Sequence, residues 1–131
     1  MPIQPEVFQA VAKSLNTHQI PTGEGKHRTI AGRAYYAAFL ATREAVKKLH
    51  TLGDDYSPSH EVFSQSLARY QGDSDVRRLG HILDGLRLRR VRADYRLNAT
   101  VSEGDAEVAI DEANDLLALL PTVSAKLPRI P

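Results

Sequence analysis

The sequence predicts an all-α protein, a four- to five-helix up-and-down bundle, from two observations. Apolar side chains recur at steps of three and four residues in five segments, and no stretch alternates convincingly like a β-strand. The apolar residues make up 42% of the 131-residue chain and are dominated by alanine and leucine, while aromatic residues make up 6%. Because alanine and leucine favour helices and aromatic residues favour strands, this balance also indicates helices.

The composition narrows the class of protein. Cysteine is absent, which excludes disulfides and thiolate metal sites, and no histidine pair has metal-ligand spacing beside a carboxylate. We therefore predict no metal site and no cofactor. No run approaches the roughly 18 apolar residues of a membrane span, and the N-terminus lacks the pattern of a secretory signal. The expectation is a soluble, cytoplasmic protein that forms a single domain over residues 1–131.

The first two helices are predicted over residues 5–18 and 29–49, separated by the Gly- and Pro-containing polar stretch IPTGEGKHR. The second helix opens with AGRAYYAAFLA, which is apolar nearly all round and is interrupted by Arg33. A helix with this pattern usually lies at the centre of a bundle. Its two adjacent tyrosines are expected to pack in the core.

Three more helices follow. Ser57 and Pro58 are a plausible start for a short third helix that runs to residue 70. The fourth helix is expected over residues 75–97, with Asp73 or Ser74 as its N-cap. A capping box at Ser102 and Asp105 begins the fifth helix, which Pro121 is expected to end or kink. The core then spans about residues 5–120, and residues 121–131 form a partly loose C-terminal extension.

Positive charge is concentrated in the fourth predicted helix. Residues 73–98 carry seven arginines and four aspartates, whereas residues 99–131 carry six acidic residues. This asymmetry has two explanations: a nucleic-acid-binding surface, or two helices of opposite charge that lie side by side. Most of the arginines are predicted to face solvent, namely Arg78, Arg89, Arg92 and Arg96.

Arg90 is different because it falls on the apolar seam of this helix. The seam consists of Val76, Leu79, Leu83, Leu86, Arg90, Ala93 and Leu97. A guanidinium group there needs a partner, since an unpaired buried charge costs several kcal/mol. Asp94, one turn later, either pairs with Arg90 to close the end of the bundle or positions it in a cleft that accepts an anion. Leu88, Val91 and Tyr95 form a second, smaller apolar strip.

Four segments resemble the small HEPN-domain proteins. In chain order they are GRAYYAAFLATREAV, SHEVFSQSL, LRRVRADY and SEGDAEVAIDEANDLL, and they fall within about residues 29–120. The resemblance implies a HEPN-like all-α bundle that forms a homodimer. It also implies a prokaryotic toxin–antitoxin or defence setting, often with a nucleotidyltransferase-type partner protein.

The same resemblance implies where a site lies. Active HEPN ribonucleases carry an arginine followed after four to six residues by histidine, and the paired motifs of the dimer cleave RNA without a metal. Here Arg90 matches the arginine, but Tyr95 stands where the histidine is expected. The predicted catalytic residues are Arg90, Tyr95 and Asp94. The predicted contacts to single-stranded RNA are Arg33, Arg87, Arg92, Arg96 and His60.

Three functions remain open at this point. The first is an RNA-acting protein, a candidate metal-independent endoribonuclease. The second is a non-catalytic scaffold or the partner subunit of a nucleotidyltransferase, with Tyr95 as a modification site. Tyrosine side chains ordinarily ionise near pH 10 and are poor general bases at neutral pH, which favours the second function, whereas the density of arginine favours the first. The third is a helical interaction domain unrelated to HEPN proteins.

Overall fold

The computed structural model describes residues 5–17, 24–48, 60–96 and 100–127, and these ranges contain five α-helices and no β-strand. The helices are α1 (Pro5–Thr17), α2 (Glu24–Lys47), α3 (His60–Ala68), α4 (Ser74–Tyr95) and α5 (Glu103–Lys126). They pack as a bundle, which confirms the all-α prediction. Within the same ranges, no helix has both the length and the apolar character that crossing a membrane requires.

Helix α2 is the centre of the bundle, as its apolar pattern predicts. It packs against α1, α4 and α5, while α3 packs on α4. Its buried side chains point in several directions and include many small ones: Ile30, Ala31, Ala34, Tyr35, Ala37, Ala38, Phe39, Thr42 and Val46. Alanine at so many contact positions lets the neighbouring helices approach closely, and the larger side chains fill the remaining space.

The start of α2 differs from the prediction. The helix begins at Glu24, so that most of the stretch expected to be a loop is helical. His27 and Arg28 lie on this first part, where the His27 ring lies 3.3 Å from the carbonyl oxygen of Val101. Arg28 donates hydrogen bonds to carbonyl groups near the end of α4. These contacts with residues distant in sequence support a helix that the local Gly-containing sequence disfavours.

The C-terminal end of α5 also differs from the prediction. The helix continues through Pro121 to Lys126, so residues 121–126 are helical and not a loose extension. Val123 is buried beyond the proline, and Lys126 Nζ lies 2.9 Å from Asp73 Oδ2 and 2.6 Å from Asp75 Oδ2. This packing and these ion pairs offset the hydrogen bond that proline removes. Residues 128–131 lie outside the described part.

Helix starts with N-caps are predicted for α3, α4 and α5, and those of α4 and α5 are confirmed. The carboxylate of Asp73 accepts hydrogen bonds from the backbone N–H groups of Asp75 and Val76 and caps α4. At α5, Ser102 and Asp105 form the reciprocal capping box. These short-range interactions satisfy N–H groups that have no partner inside the helix. The expected start of α3 at Ser57 and Pro58 lies outside the described residues.

Gly80 permits close packing of α3 on α4. A Cβ atom at this position would contact the backbone nitrogen of Ala68 and would lie 2.6 Å from both Ala68 Cα and the carbonyl carbon of Leu67. Real Cβ atoms essentially never come so close to backbone atoms. Because α3 carries His60, this glycine also determines how near His60 comes to the side chains of α4.

We therefore predict that Gly80→Ala destabilises the protein by about 1 to 3 kcal/mol, since the backbone of α3 must move to admit a methyl group. Thermal and urea unfolding would measure the change. The matched control is Gly85→Ala on the same helix, where the nearest atom is Oε2 of the Glu112 side chain at 3.6 Å. That variant should be neutral or stabilised by about 0.5 to 1 kcal/mol. Equal stabilities for the two variants would contradict the packing argument.

Candidate functional site

Arg90 lies at the centre of a group of aromatic rings. Its Cζ atom lies 4.8 Å from the ring centroid of Tyr36, 5.6 Å from that of Tyr35 and 5.9 Å from that of Tyr95. The Arg90 side chain is 16% exposed. The negative faces of aromatic rings attract a guanidinium cation, and the attraction is strongest where water is excluded. Arg90 is therefore held on the wall of the bundle between α2 and α4.

Asp94 is the acidic neighbour of Arg90, as the sequence predicts. The Asp94 Oδ2 atom lies 3.2 Å from Arg90 Nε, and the Asp94 side chain is 39% exposed. The Nε–H group is not aligned for a hydrogen bond with any acceptor in the described residues. The pair is thus an ion pair without a well-directed hydrogen bond. Asp94 neutralises Arg90 from one side and does not enclose it.

His60 joins this group from α3. Its Nδ1 atom is hydrogen-bonded to the hydroxyl group of Tyr35, a residue with no exposed surface. The His60 ring also stacks on Phe39, with the ring centroids 4.1 Å apart and the planes inclined by 13°. A histidine from a separate helix is thus brought to the rings that hold Arg90.

The environment shifts the pKa values of both members of this hydrogen bond. Burial raises the pKa of Tyr35 far above its usual value, so the phenol stays protonated. Burial also lowers the pKa of His60, and the positive charges of Arg90, Arg43 and Arg87 lower it further. The neutral form of His60 is therefore favoured at neutral pH.

Two further arginines, Arg43 and Arg87, lie beside the cluster of Arg90, His60 and the aromatic rings. The Arg43 Cζ atom lies 5.5 Å from the ring centroid of Phe39. Arg87 Nε donates a 2.9 Å hydrogen bond to the Asp84 carboxylate, which also accepts one from Ser64 Oγ. Asp84 thereby ties α3 to α4 beside the site, and Arg87 is held in place instead of pointing freely into solvent.

Sequence reasoning missed Arg43 and the Tyr35–His60 pair. One signal for Arg43 was present, because residues 35, 39 and 43 are spaced by four and therefore share one face of α2. No local signal connects His60 with Tyr35, since they lie on separate helices. That contact follows from the packing of α3 against the rest of the bundle.

The remaining predicted site residues are more dispersed. Arg33 is exposed, and its Cζ atom lies 5.7 Å from the ring centroid of Phe8. Arg92 is exposed and donates a hydrogen bond to the carbonyl oxygen of Thr100, while Arg96 is exposed at the end of α4. The structure thus gathers Arg90, Asp94, Tyr95, Arg87 and His60 around one cluster and leaves Arg33, Arg92 and Arg96 on the surface.

The prediction that Arg89 faces solvent is wrong. Its Nη2 atom lies 3.1 Å from Glu112 Oε1 on α5, and both side chains are partly buried. Here the opposite charges of neighbouring helices pair directly. By contrast, Arg78 is exposed as predicted. Arg89 also lines a cavity of about 290 Å³ between α2, α4 and the start of α5, together with Ala31, Gly85, Leu88, Arg92, Val101, Asp105 and Glu112.

That cavity is a weaker candidate than the Arg90 cluster because its charged groups already have partners. Arg89 pairs with Glu112, Arg92 bonds to a backbone carbonyl, and Asp105 belongs to the capping box of α5. Among the described residues, no three His, Asp or Glu side chains are grouped as metal ligands would be.

Comparison with known proteins yields one distant relative. The uncharacterized protein MJ0992 of Methanocaldococcus jannaschii is 28% identical over 109 residues, which cover 72% of this chain. The match covers 62% of that protein, less than two thirds of its length. No known family profile matches the chain, and no solved structure matches it. The comparisons therefore assign neither a family nor an activity.

Proposed function

We propose that this protein is a HEPN-type RNA-acting protein, a candidate metal-independent endoribonuclease of a toxin–antitoxin or defence system. The observation that supports the proposal most is the meeting of Arg90 and His60 at the same two tyrosine rings. The resemblance to HEPN proteins implies an arginine and a histidine at one site. In this chain Tyr95 replaces the expected histidine on α4, and α3 supplies one instead.

The proposed reaction is an internal attack in RNA. The 2′-oxygen bonds to the adjacent phosphorus, the bond from phosphorus to the 5′-oxygen breaks, and the proton of the 2′-hydroxyl group ends on the leaving 5′-oxygen. The products are a cyclic phosphate and a 5′-hydroxyl end. Arg90 would neutralise charge that develops on the phosphate oxygens, Asp94 would position Arg90, and Tyr95 would orient the phosphate by hydrogen bonding.

The exposed arginines suit contacts with the RNA backbone. Arg92 lies on the last turn of α4, Arg96 directly follows that helix, and Arg33 is exposed on α2. Such contacts with phosphate groups displace counterions, so binding would weaken steeply as salt concentration rises. Single-stranded RNA is the favoured partner because α4 matches no motif that reads a duplex groove.

The proposal includes a homodimer. Leu88 and Tyr95 on α4 are 54% and 68% exposed, and Val91 between them is partly buried. Exposed apolar side chains grouped on one helix favour a protein contact. We infer that this strip meets the same strip of a second copy.

One observation favours a second function, that of a partner protein modified by a nucleotidyltransferase. The Tyr95 ring is 68% exposed, so its hydroxyl group is accessible to another enzyme. Attack of the phenol oxygen on the α-phosphorus of a nucleoside triphosphate would form a nucleotidyl ester and release pyrophosphate. The Arg90 Cζ atom lies 5.9 Å from the centroid of this ring, so its positive charge would favour the added phosphate.

For the first function, we predict that the purified protein cleaves end-labelled single-stranded RNA in the presence of EDTA. Arg90→Ala should lower the rate roughly 100- to 1,000-fold, because it removes the charge that faces the transition state. Arg78→Ala, which removes an exposed arginine from the same helix, is the control and should leave cleavage nearly unchanged. Cleavage that is equal in both variants would refute the role of Arg90.

For the second function, we predict that co-expression with a partner nucleotidyltransferase adds one nucleotide to Tyr95. Intact-mass measurement and peptide mapping would detect it. Tyr95→Phe should abolish the mass increase, whereas Tyr70→Phe, at a partly buried tyrosine outside the cluster, should retain it. Modification that persists in Tyr95→Phe would rule out this site.

For the homodimer, we predict that Leu88→Asp shifts the protein toward monomer in sedimentation experiments, since burying a carboxylate in an apolar contact is unfavourable. Val62→Asp is the matched control, because Val62 is 51% exposed on α3 and lies outside the strip. If neither substitution changes the assembly, the strip is not the dimer contact.

A further inference from the structure

The two ring nitrogens of His60 have different surroundings. Nδ1 faces the hydroxyl group of Tyr35, which is fully buried on α2. The ring itself is only partly buried, and Nε2 is separated from Nδ1 by the ring carbon Cε1. Which nitrogen carries the proton decides whether His60 offers a hydrogen-bond donor or a base at Nε2.

Tyr35 determines this choice. A buried phenol O–H group needs an acceptor, and in the described part of the chain the hydroxyl group of Tyr35 has one hydrogen-bond partner, His60 Nδ1. Because the described residues offer its proton no other acceptor, we assign Tyr35 as the donor and Nδ1, through its lone pair, as the acceptor. A neutral imidazole has one N–H group, so this assignment puts the proton of His60 on Nε2.

The charges around His60 favour an anion. Three guanidinium groups act on its ring, those of Arg43 on α2 and of Arg87 and Arg90 on α4. The nearby carboxylates are already engaged. Asp84 accepts hydrogen bonds from Arg87 and Ser64, and Asp94 forms an ion pair with Arg90. In the described part of the chain, the site thus holds three guanidinium groups and two carboxylates, an excess of positive charge.

We propose that His60 Nε2–H and the Arg90 guanidinium group together bind one phosphodiester group, with Tyr35 as the positioning residue that keeps the proton on Nε2. This inference rests on the proposed RNA-acting function and names a substrate contact within it. It assigns His60 the role of a hydrogen-bond donor to phosphate. In this arrangement His60 is not the base that removes the 2′-hydroxyl proton.

The tautomer can be measured in the unmodified protein by long-range ¹H–¹⁵N correlation spectra of the histidine rings at neutral pH. We expect His60 to carry its proton on Nε2. In Tyr35→Phe the hydrogen bond that favours the neutral form is lost, so the pKa of His60 should rise. A proton on Nδ1 in the unmodified protein would overturn the proposal, and this measurement needs no variant to fold.

Binding can be measured in the same spectra with a 2′-O-methyl dinucleoside monophosphate, which cannot be cleaved, and with inorganic phosphate in parallel. The dinucleotide should shift the His60 Nε2 resonance, and Arg90→Gln should weaken its binding about tenfold or more. Arg78→Gln should not weaken it. The exposed His81 should give no response that depends on Arg90. A response to inorganic phosphate alone, or to neither probe, would overturn the phosphodiester assignment.

These outcomes are separable from those of the RNA-cleavage assay. If the dinucleotide shifts Nε2 but RNA is not cleaved, the phosphodiester site stands and the ribonuclease activity fails. If RNA is cleaved equally by the unmodified protein and His60→Gln, and Nε2 does not respond, the ribonuclease activity stands and this inference fails.

Discussion

The packing of the Arg90 guanidinium group on the rings of Tyr35 and Tyr36 is the interaction on which the candidate site depends. A cation placed on an apolar seam is costly unless other groups replace its water. Here the aromatic faces and the partly exposed Asp94 do so from different sides. The arrangement brings the central helix α2 against α4 and, within the described residues, leaves Arg90 Nε without a hydrogen-bond partner, as the proposed contact with an anion requires.

The position of His60 depends in turn on how α3 is held against α4. Gly80 lets the two backbones approach, and Asp84 connects Ser64 of α3 with Arg87 of α4. The buried hydroxyl group of Tyr35 then fixes the orientation of the His60 ring. A histidine that lies thirty residues before Arg90 in sequence is thus placed by backbone packing and by two side-chain hydrogen-bond systems.

The arginines of α4 have different surroundings. Arg89 pairs with Glu112 of the acidic helix α5, as expected for two oppositely charged helices in contact. Arg78, Arg92 and Arg96 remain exposed. One helix therefore carries an arginine that pairs with α5, arginines on the surface and Arg90 in the aromatic cluster. The position of each arginine around the helix axis determines these surroundings.

The sequence by itself determined the features that arise between near neighbours. The helical periodicity, the caps at Asp73 and Ser102, and the Arg90–Asp94 pair all depend on residues within one turn of each other, and all were predictable. Only the tertiary structure decided the early start of α2, the passage of α5 through Pro121, the pairing of Arg89 and the meeting of His60 with Tyr35. Each of these depends on contacts between separate helices. The energies of such contacts outweigh local helix propensities, and they cannot be read from a short stretch of sequence.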